Sequence, residues 1–323
     1  MTQQKQTDRR PPLVIVAGPT ASGKSDTAVE LALRLGGSVI SADSMQVYRG
    51  MDIGSAKITE AEMRGVPHYL IDCADPEEEW NVVTFQKQAR EAIRQILAQG
   101  RLPILCGGTG FYIQSVLYDI DFTEMDSQPD YRMALEREAR EKGPQVLYDR
   151  LVLADPEAAR AIHPNNVKRV IRALEFHQKS GGQKISRHNE EQRARQAAYD
   201  CVFYVLTMDR ARLYERIDRR VDIMMEKGLV REVQELRERG LTSEDVSMQG
   251  LGYKQVLESM EGLYDLDEAV YRIKRDSRHF AKRQLTWFRR EKDVIWVDLD
   301  SFPGREAAVD FMEQGIRQRL ALQ

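Results

Sequence analysis

One eight-residue stretch constrains this chain more than anything else in it. Gly18-Pro19-Thr20-Ala21-Ser22-Gly23-Lys24-Ser25 fits the pattern G-x-x-x-x-G-K-[ST]. Before it stands a wholly apolar run, Leu13 to Ala17, of the kind buried in a parallel sheet. After it comes SDTAVELALRL (25–35), whose apolar residues Ala28, Val29, Leu31, Ala32 and Leu35 recur at helical spacing. Strand, glycine loop and helix together predict a phosphate cradle. The glycines let the loop curl so that backbone N–H groups point inward, and the helix adds its positive N-terminal end. Lys24 supplies a mobile charge, and the Ser25 hydroxyl suits Mg²⁺. With Gly at about 7% of residues, a chance match in a chain of this length is on the order of one in a hundred. The whole stretch, Gly18, Pro19, Thr20, Ala21, Ser22, Gly23, Lys24 and Ser25, is the expected phosphate-binding set.

The pattern beyond the loop predicts a doubly wound α/β fold. Gly36-Gly37 ends the first helix, SVISAD (38–43) reads as a second strand, and 84–99 reads as a helix. RLPILCGGTG (101–110) is another buried strand running into a glycine turn. From 123 to 200 no buried strand is legible, and charged helical patterns such as VKRVIRALEFHQKSG dominate. Within that stretch Gly181-Gly182 and QKISRHNEEQRARQ read as a mobile loop or arm. CVFYVLTMD (201–209) returns to the sheet, amphipathic helices continue to about 290, and VIWVDLD (294–300) is a last strand. The expected organisation is a P-loop α/β core from 1–122 and 201–323, interrupted by an all-helical insertion domain at 123–200.

Composition narrows the class. At 42% hydrophobic over 323 residues the chain can bury a sizeable core. Net charge is 48 − 51 = −3, so no global excess announces a nucleic-acid partner. Residues 272–292, however, hold nine Lys/Arg against Asp276 and Glu291, an excess of +7. That segment favours phosphate, while its Trp287 and Phe288 read as core residues rather than stacking platforms. Met224-Met225 reads as core packing. Cys73, Cys106 and Cys201 form no pair with metal or disulfide spacing, and no His is placed for catalysis. No apolar run approaches the ~20 residues of a membrane span, and the N-terminus is polar. A soluble, cytoplasmic monomer is the expectation.

The owner of the phosphate is a separate question. There is no Asn-Lys-x-Asp guanine-reading motif, and the strand at 102–106 ends in Cys106-Gly107-Gly108 rather than in adjacent acids. The acid placed at the carboxyl edge of the sheet is Asp43, beside the crevice onto which the cradle opens.

The order of motifs then resembles the tRNA dimethylallyltransferase (IPP transferase) family. The motifs are GPTASGKS, SADSMQVYRGMDIGSAK (41–57), GGTGFY (107–112), IHPNNVKRVIRALE (162–175), the block at 216–233, QGLGYK (249–254) and AKRQLTWFR (281–289). The resemblance implies transfer of a dimethylallyl group from its diphosphate to the exocyclic amine of the adenine 3′ of the anticodon in tRNA. Diphosphate is released without ATP hydrolysis, and Mg²⁺ sits on Ser25. It also implies roles. Lys24 and Arg220 stabilise the leaving diphosphate, with Arg216 a weaker counterpart, and Asp43 serves the amine as base. Asp43 could instead hold the metal's water shell or cap the turn after it. Asp43, Ser44, Met45 and Gln46 touch the extruded adenine, and Thr109 and Arg132 flank the channel. Lys168, Arg169 and Arg172 contact tRNA, as does Gln249-Gly250-Leu251-Gly252-Tyr253-Lys254. Some relatives carry arginine at the position of Gln249, so this contact lacks the charge. The readings set against this one are a P-loop small-molecule or nucleotide kinase, with 123–200 as its lid, and a non-catalytic RNA-binding scaffold.

Overall fold

The structure, a computed structural model, describes residues 10–122, 129–193 and 195–322. The polar N-terminal stretch through Arg9 and the expected start of the insertion at 123 lie outside those residues. The described chain divides into two compact units, one of residues 1–117 with 198–323 and one of 118–197.

The first unit is a parallel sheet wrapped by helices. In chain order its elements are β1 (Pro12–Ala17), α1 (Lys24–Leu35), β2 (Gly37–Ser41), the one-turn α2 (Glu60–Met63), the two-residue β3 (His68–Tyr69), α3 (Val82–Ala98), β4 (Leu102–Gly107) and α4 (Gly110–Leu117). The second unit then contributes α5 (Pro129–Lys142), α6 (Pro144–Ala154), α7 (Pro156–Ala161), α8 (Val167–Lys179) and α9 (Ile185–Arg193). The first unit resumes with β5 (Asp200–Thr207), α10 (Arg210–Glu226), α11 (Leu229–Glu238), α12 (Tyr253–Met260), α13 (Leu266–Phe288), β6 (Val294–Asp298) and α14 (Arg305–Leu320).

The strand order is β3-β2-β4-β1-β5-β6, and every pairing is parallel. Buried on both faces, the central strands carry unbroken apolar runs: Leu13 to Ala17 has no accessible surface. Val14 and Val16 point to one face, where α1 and α14 cover them through Val29, Leu31, Val309 and Met312. On the other face Phe203 meets Phe288 of α13 edge to face, with ring centres 6.2 Å apart. The register places Ala17 of β1 beside Gly107 of β4, and Cys106 beside Ser41 of β2. The carboxyl ends of three adjacent strands therefore release Gly18, Gly108 and Ala42 at one edge of the sheet. That edge is where the chemistry gathers.

The second unit has its own core, built from Leu135, Leu147, Leu151, Val170, Ile171, Leu174, Phe176 and Ile185. Here one expectation fails. The polar stretch after Gly181-Gly182 is not a loop but contains α9. Ile185 plants it in the apolar core, and Asp155 accepts both the Ser186 N–H (2.9 Å) and its hydroxyl (2.7 Å). One buried aliphatic and one carboxylate outweigh a polar composition. Two smaller departures belong to the first unit. Met224 and Met225 are only half-buried, and α14 has no counterpart in the sequence reading.

Candidate active site

The glycine loop curls as its sequence demands. Gly18 takes φ 150°, and a Cβ there would sit 2.8 Å from the Leu206 carbonyl oxygen. Ala21 and Gly23 have φ 62° and 88°, which turns the loop into the first residue of α1, Lys24. The Lys24 ammonium folds back on the loop and donates to the Pro19 carbonyl at 2.6 Å. Enclosure pushes its pKa down from 10.5 to about 8, Arg220 pushes the same way, and Cys106 and Asp43 oppose. Ser25, the next residue of α1, is half-buried, and its hydroxyl engages no protein group among the described residues.

Two arginines one helical turn apart on α10 close the cradle from the side. Arg216 donates through Nε to the Ala21 carbonyl at 2.9 Å. Arg220 reaches the Ala56 carbonyl through Nη2 at 3.4 Å, and burial holds its pKa below the ordinary arginine value although Asp43 raises it. A third guanidinium, Arg305 at the start of α14, approaches Gly23 and pairs with Asp26 at 2.8 Å. Of the three, Arg220 is the most enclosed, while Arg216 and Arg305 are exposed at the rim.

Asp43 lies two residues beyond β2. Its Oδ1 accepts the N–H groups of Met45 (2.8 Å) and Gln46 (3.4 Å), so the turn-capping role occupies one oxygen. Oδ2 has no donor among the described residues. Gln46 accepts the Ser41 hydroxyl at 3.2 Å and donates to the Ala56 carbonyl at 3.3 Å, while Ser44 and Met45 are half-buried beside it. Thr109 begins the turn into α4 and donates its N–H to the Ala42 carbonyl at 3.3 Å. Lys24, Asp43 and Arg220 are near enough to act on one another electrostatically. Cys106, at the end of β4, is pushed up to about 12 by burial and is no thiolate at neutral pH.

The segment 249–254 is a buttress more than a surface. Tyr253 has no accessible surface, and Gly250 and Gly252 are buried too. A Cβ on Gly250 would lie 2.4 Å from Cε of Met45, so this glycine leaves room for the loop that follows Asp43. Leu251 is half-buried, and only Gln249 and Lys254 are exposed; the Gln249 amide donates to the Ser243 carbonyl. In the second unit, α8 presents Lys168, Arg169 and Arg172 on its exposed side, opposite Val170, Ile171 and Leu174. Arg132 of α5 pairs with Glu175 at 3.3 Å. The Arg172 guanidinium is enclosed enough, and close enough to Arg132, that both effects lower its pKa, although the side chain as a whole is exposed.

Sequence reasoning missed the group that ties the site together. Gln284 of α13 is 6% exposed, accepts the Thr20 N–H at 2.9 Å and donates to the Gly108 carbonyl at 3.0 Å. The signal lay in Gly-Gly-Thr-Gly. A Cβ on Gly108 would stand 2.2 Å from the Gln284 amide nitrogen, and one on Gly110 would stand 2.1 Å from the Trp287 ring. Phe288 is fully buried as expected of core, whereas Trp287 is half-buried against Gly110 and Phe111.

A parallel sheet whose central strand opens into a glycine loop, flanked by arginines and a carboxylate, defines a P-loop-like α/β protein. The comparisons with known proteins specify which. The chain belongs to the IPP transferase family, whose sequence model matches residues 46–291, while a second model, isopentenyl transferase, matches 11–79. It is 58% identical over 286 residues to the tRNA dimethylallyltransferase of Lachnoclostridium phytofermentans, covering 88% of this chain and 91% of that one. Its fold matches the full-length tRNA isopentenylpyrophosphate transferase of Bacillus halodurans with TM-score 0.73 at 45% identity, covering 97% of both chains. A eukaryotic dimethylallyltransferase captured acting on tRNA matches with TM-score 0.75 at 30% identity, over 89% of this chain and 74% of that one. The kinase reading finds no support among these relatives. No helix among the described residues is long and apolar enough to cross a membrane.

Proposed function

We propose that this chain is a tRNA prenyltransferase that moves a dimethylallyl group from dimethylallyl diphosphate to the exocyclic amine of the adenine 3′ of the anticodon. The observation that carries the reading is the electrostatic proximity of Lys24, Arg220 and Asp43: two cations for a leaving diphosphate, one carboxylate for a nucleophile. As the allylic C–O bond breaks, its electron pair leaves on the diphosphate. Cradle N–H groups, Lys24, Arg220 and Arg216 receive that charge where it develops. Mg²⁺ on Ser25 would add Lewis-acid stabilisation of the same oxygens.

The adenine amine is a weak nucleophile because its lone pair is delocalised into the ring. Asp43 Oδ2 accepts the amine proton as the N–C bond forms, while Oδ1 keeps the turn that presents it. Ser44, Met45 and Gln46 line the extruded base, with Thr109 beside them. Arg132, Lys168, Arg169, Arg172, Gln249 and Lys254 carry tRNA contacts. Tyr253 supports the site from below. The test is to incubate the protein with Mg²⁺, dimethylallyl diphosphate and unmodified tRNA bearing adenosine 3′ of the anticodon, then to analyse nucleosides by mass spectrometry. Prenylated adenosine is the expected product, and its absence from every such tRNA would overturn the reading.

A further inference from the structure

Four consecutive backbone N–H groups in the loop after Asp43 are held by one carboxylate and one phenol. Glu232 of α11 accepts from Asp52 (2.9 Å), Ile53 (2.8 Å) and Gly54 (3.1 Å). Tyr253 donates its hydroxyl to the same carboxylate at 2.6 Å and accepts the Ser55 N–H at 3.2 Å. The carboxylate is 9% exposed and receives four donors, a count that offsets the cost of taking its charge out of water. Gly54 has no room for a side chain, because a Cβ would lie 2.6 Å from the Tyr253 ring. Two residues on, Ala56 is left-handed at φ 46°, and its N–H bonds back to the Ile53 carbonyl at 3.0 Å. Its own carbonyl is thereby aimed into the site, where it accepts both Gln46 Nε2 (3.3 Å) and Arg220 Nη2 (3.4 Å).

We propose that Glu232 is a positioning residue for the reaction: it touches neither substrate but fixes the Ala56 carbonyl, the acceptor shared by Gln46 on the nucleobase side and Arg220 on the diphosphate side. The assignment of those two sides rests on the proposed function. Gln46 adjoins Asp43 and Arg220 acts on Lys24, so a loop loosened at 52–55 misaligns base and leaving group together. Misalignment of that kind is felt at the transition state more than in binding either substrate.

The experiment uses two variants of the full chain. Glu232→Gln keeps the side chain's size and turns an amide N–H pair toward part of the donor row. Its kcat for tRNA prenylation falls about tenfold or more, while KM for tRNA and the dissociation constant of inorganic pyrophosphate with Mg²⁺ stay within about threefold. Amide exchange over 43–57 quickens at the same time. Tyr253→Phe removes one hydroxyl and lowers kcat about two- to fivefold with the same split. It carries the test alone if the first variant does not fold. A kcat near the parent value in the folded variants overturns the proposal. A raised KM for tRNA at unchanged kcat also overturns it, by making Glu232 a docking contact. If the parent chain prenylates no tRNA, the functional reading fails separately and amide exchange decides: quickened exchange supports the staple, and unchanged exchange ends it.

Discussion

The Gln284 carboxamide accepts the Thr20 N–H at 2.9 Å across 264 residues of chain, and its other end donates to Gly108. One buried side chain thus spans the phosphate cradle and the turn carrying Thr109. Gln284→Met keeps the volume and removes both hydrogen bonds, leaving a buried N–H and a buried carbonyl without partners. The expected cost is about 1–3 kcal/mol of folding stability, read as a lower denaturant midpoint. A higher KM for dimethylallyl diphosphate should accompany it, because the cradle loses its outer tether. A variant with parental midpoint and parental donor KM would show that the bridge does not hold the loop.

Lys24 makes the donor site sensitive to pH. Enclosure lowers its ammonium to about 8, so the donor-free protein loses this charge as pH rises through that value. A bound diphosphate favours the charged form and raises the pKa again, so binding in this range takes up a proton. Diphosphate affinity is therefore level between the phosphate ionisation near about 6 and pH 8, then weakens by up to about tenfold per pH unit. Calorimetric titration of Mg²⁺-pyrophosphate at rising pH, in buffers of different ionisation enthalpy, reads both the slope and the proton. A flat affinity from pH 7.5 to about 9.5 would remove Lys24 from the diphosphate.

Asp43 separates chemistry from binding. Asp43→Asn preserves a carbonyl oxygen for the Met45 and Gln46 N–H groups, so the turn survives, but the amide cannot accept the amine proton. Loss of a general base costs about 10²–10⁴ in kcat, with tRNA affinity nearly unchanged. Single-turnover rates and filter binding on the same preparation make the comparison. Equal losses in rate and affinity would reassign Asp43 to base recognition alone.

Much of this site was legible because its chemistry is local in sequence. Gly18 to Ser25 is contiguous, and Asp43 follows its strand by two residues, so pattern and topology together located both. What escaped were contacts made across the sequence. Gly108 and Gly110 resemble turn glycines, yet neither is among those with positive φ; space for Gln284 and Trp287 requires them. Tyr253 reads as part of an RNA-contacting motif, while its burial against Gly54 and Glu232 makes it a support. The stretch after Gly182 reads as a loop because only Ile185 in it is strongly apolar, and α9 depends on that residue and on a carboxylate 31 positions away. β3 is two residues long, too short for an alternation to show.

The cations of the second unit divide by their partners, and salt dependence will sort them. Lys168 and Arg169 are exposed and make no ion pair among the described residues, so neither does structural work for the fold. If each meets an RNA phosphate, Lys168→Ala and Arg169→Ala weaken all tRNAs alike and each lowers the salt slope of binding by about 1. Arg132 differs, because it pairs with Glu175, whose side chain is 16% exposed and whose pKa burial already raises. Arg132→Ala strips that carboxylate of a counter-charge and destabilises the helical unit, with a smaller change in slope than in melting temperature. Binding isotherms at several salt concentrations, paired with thermal melts, distinguish the two kinds of cation. An unchanged slope for Lys168→Ala and Arg169→Ala together would take α8 off the RNA.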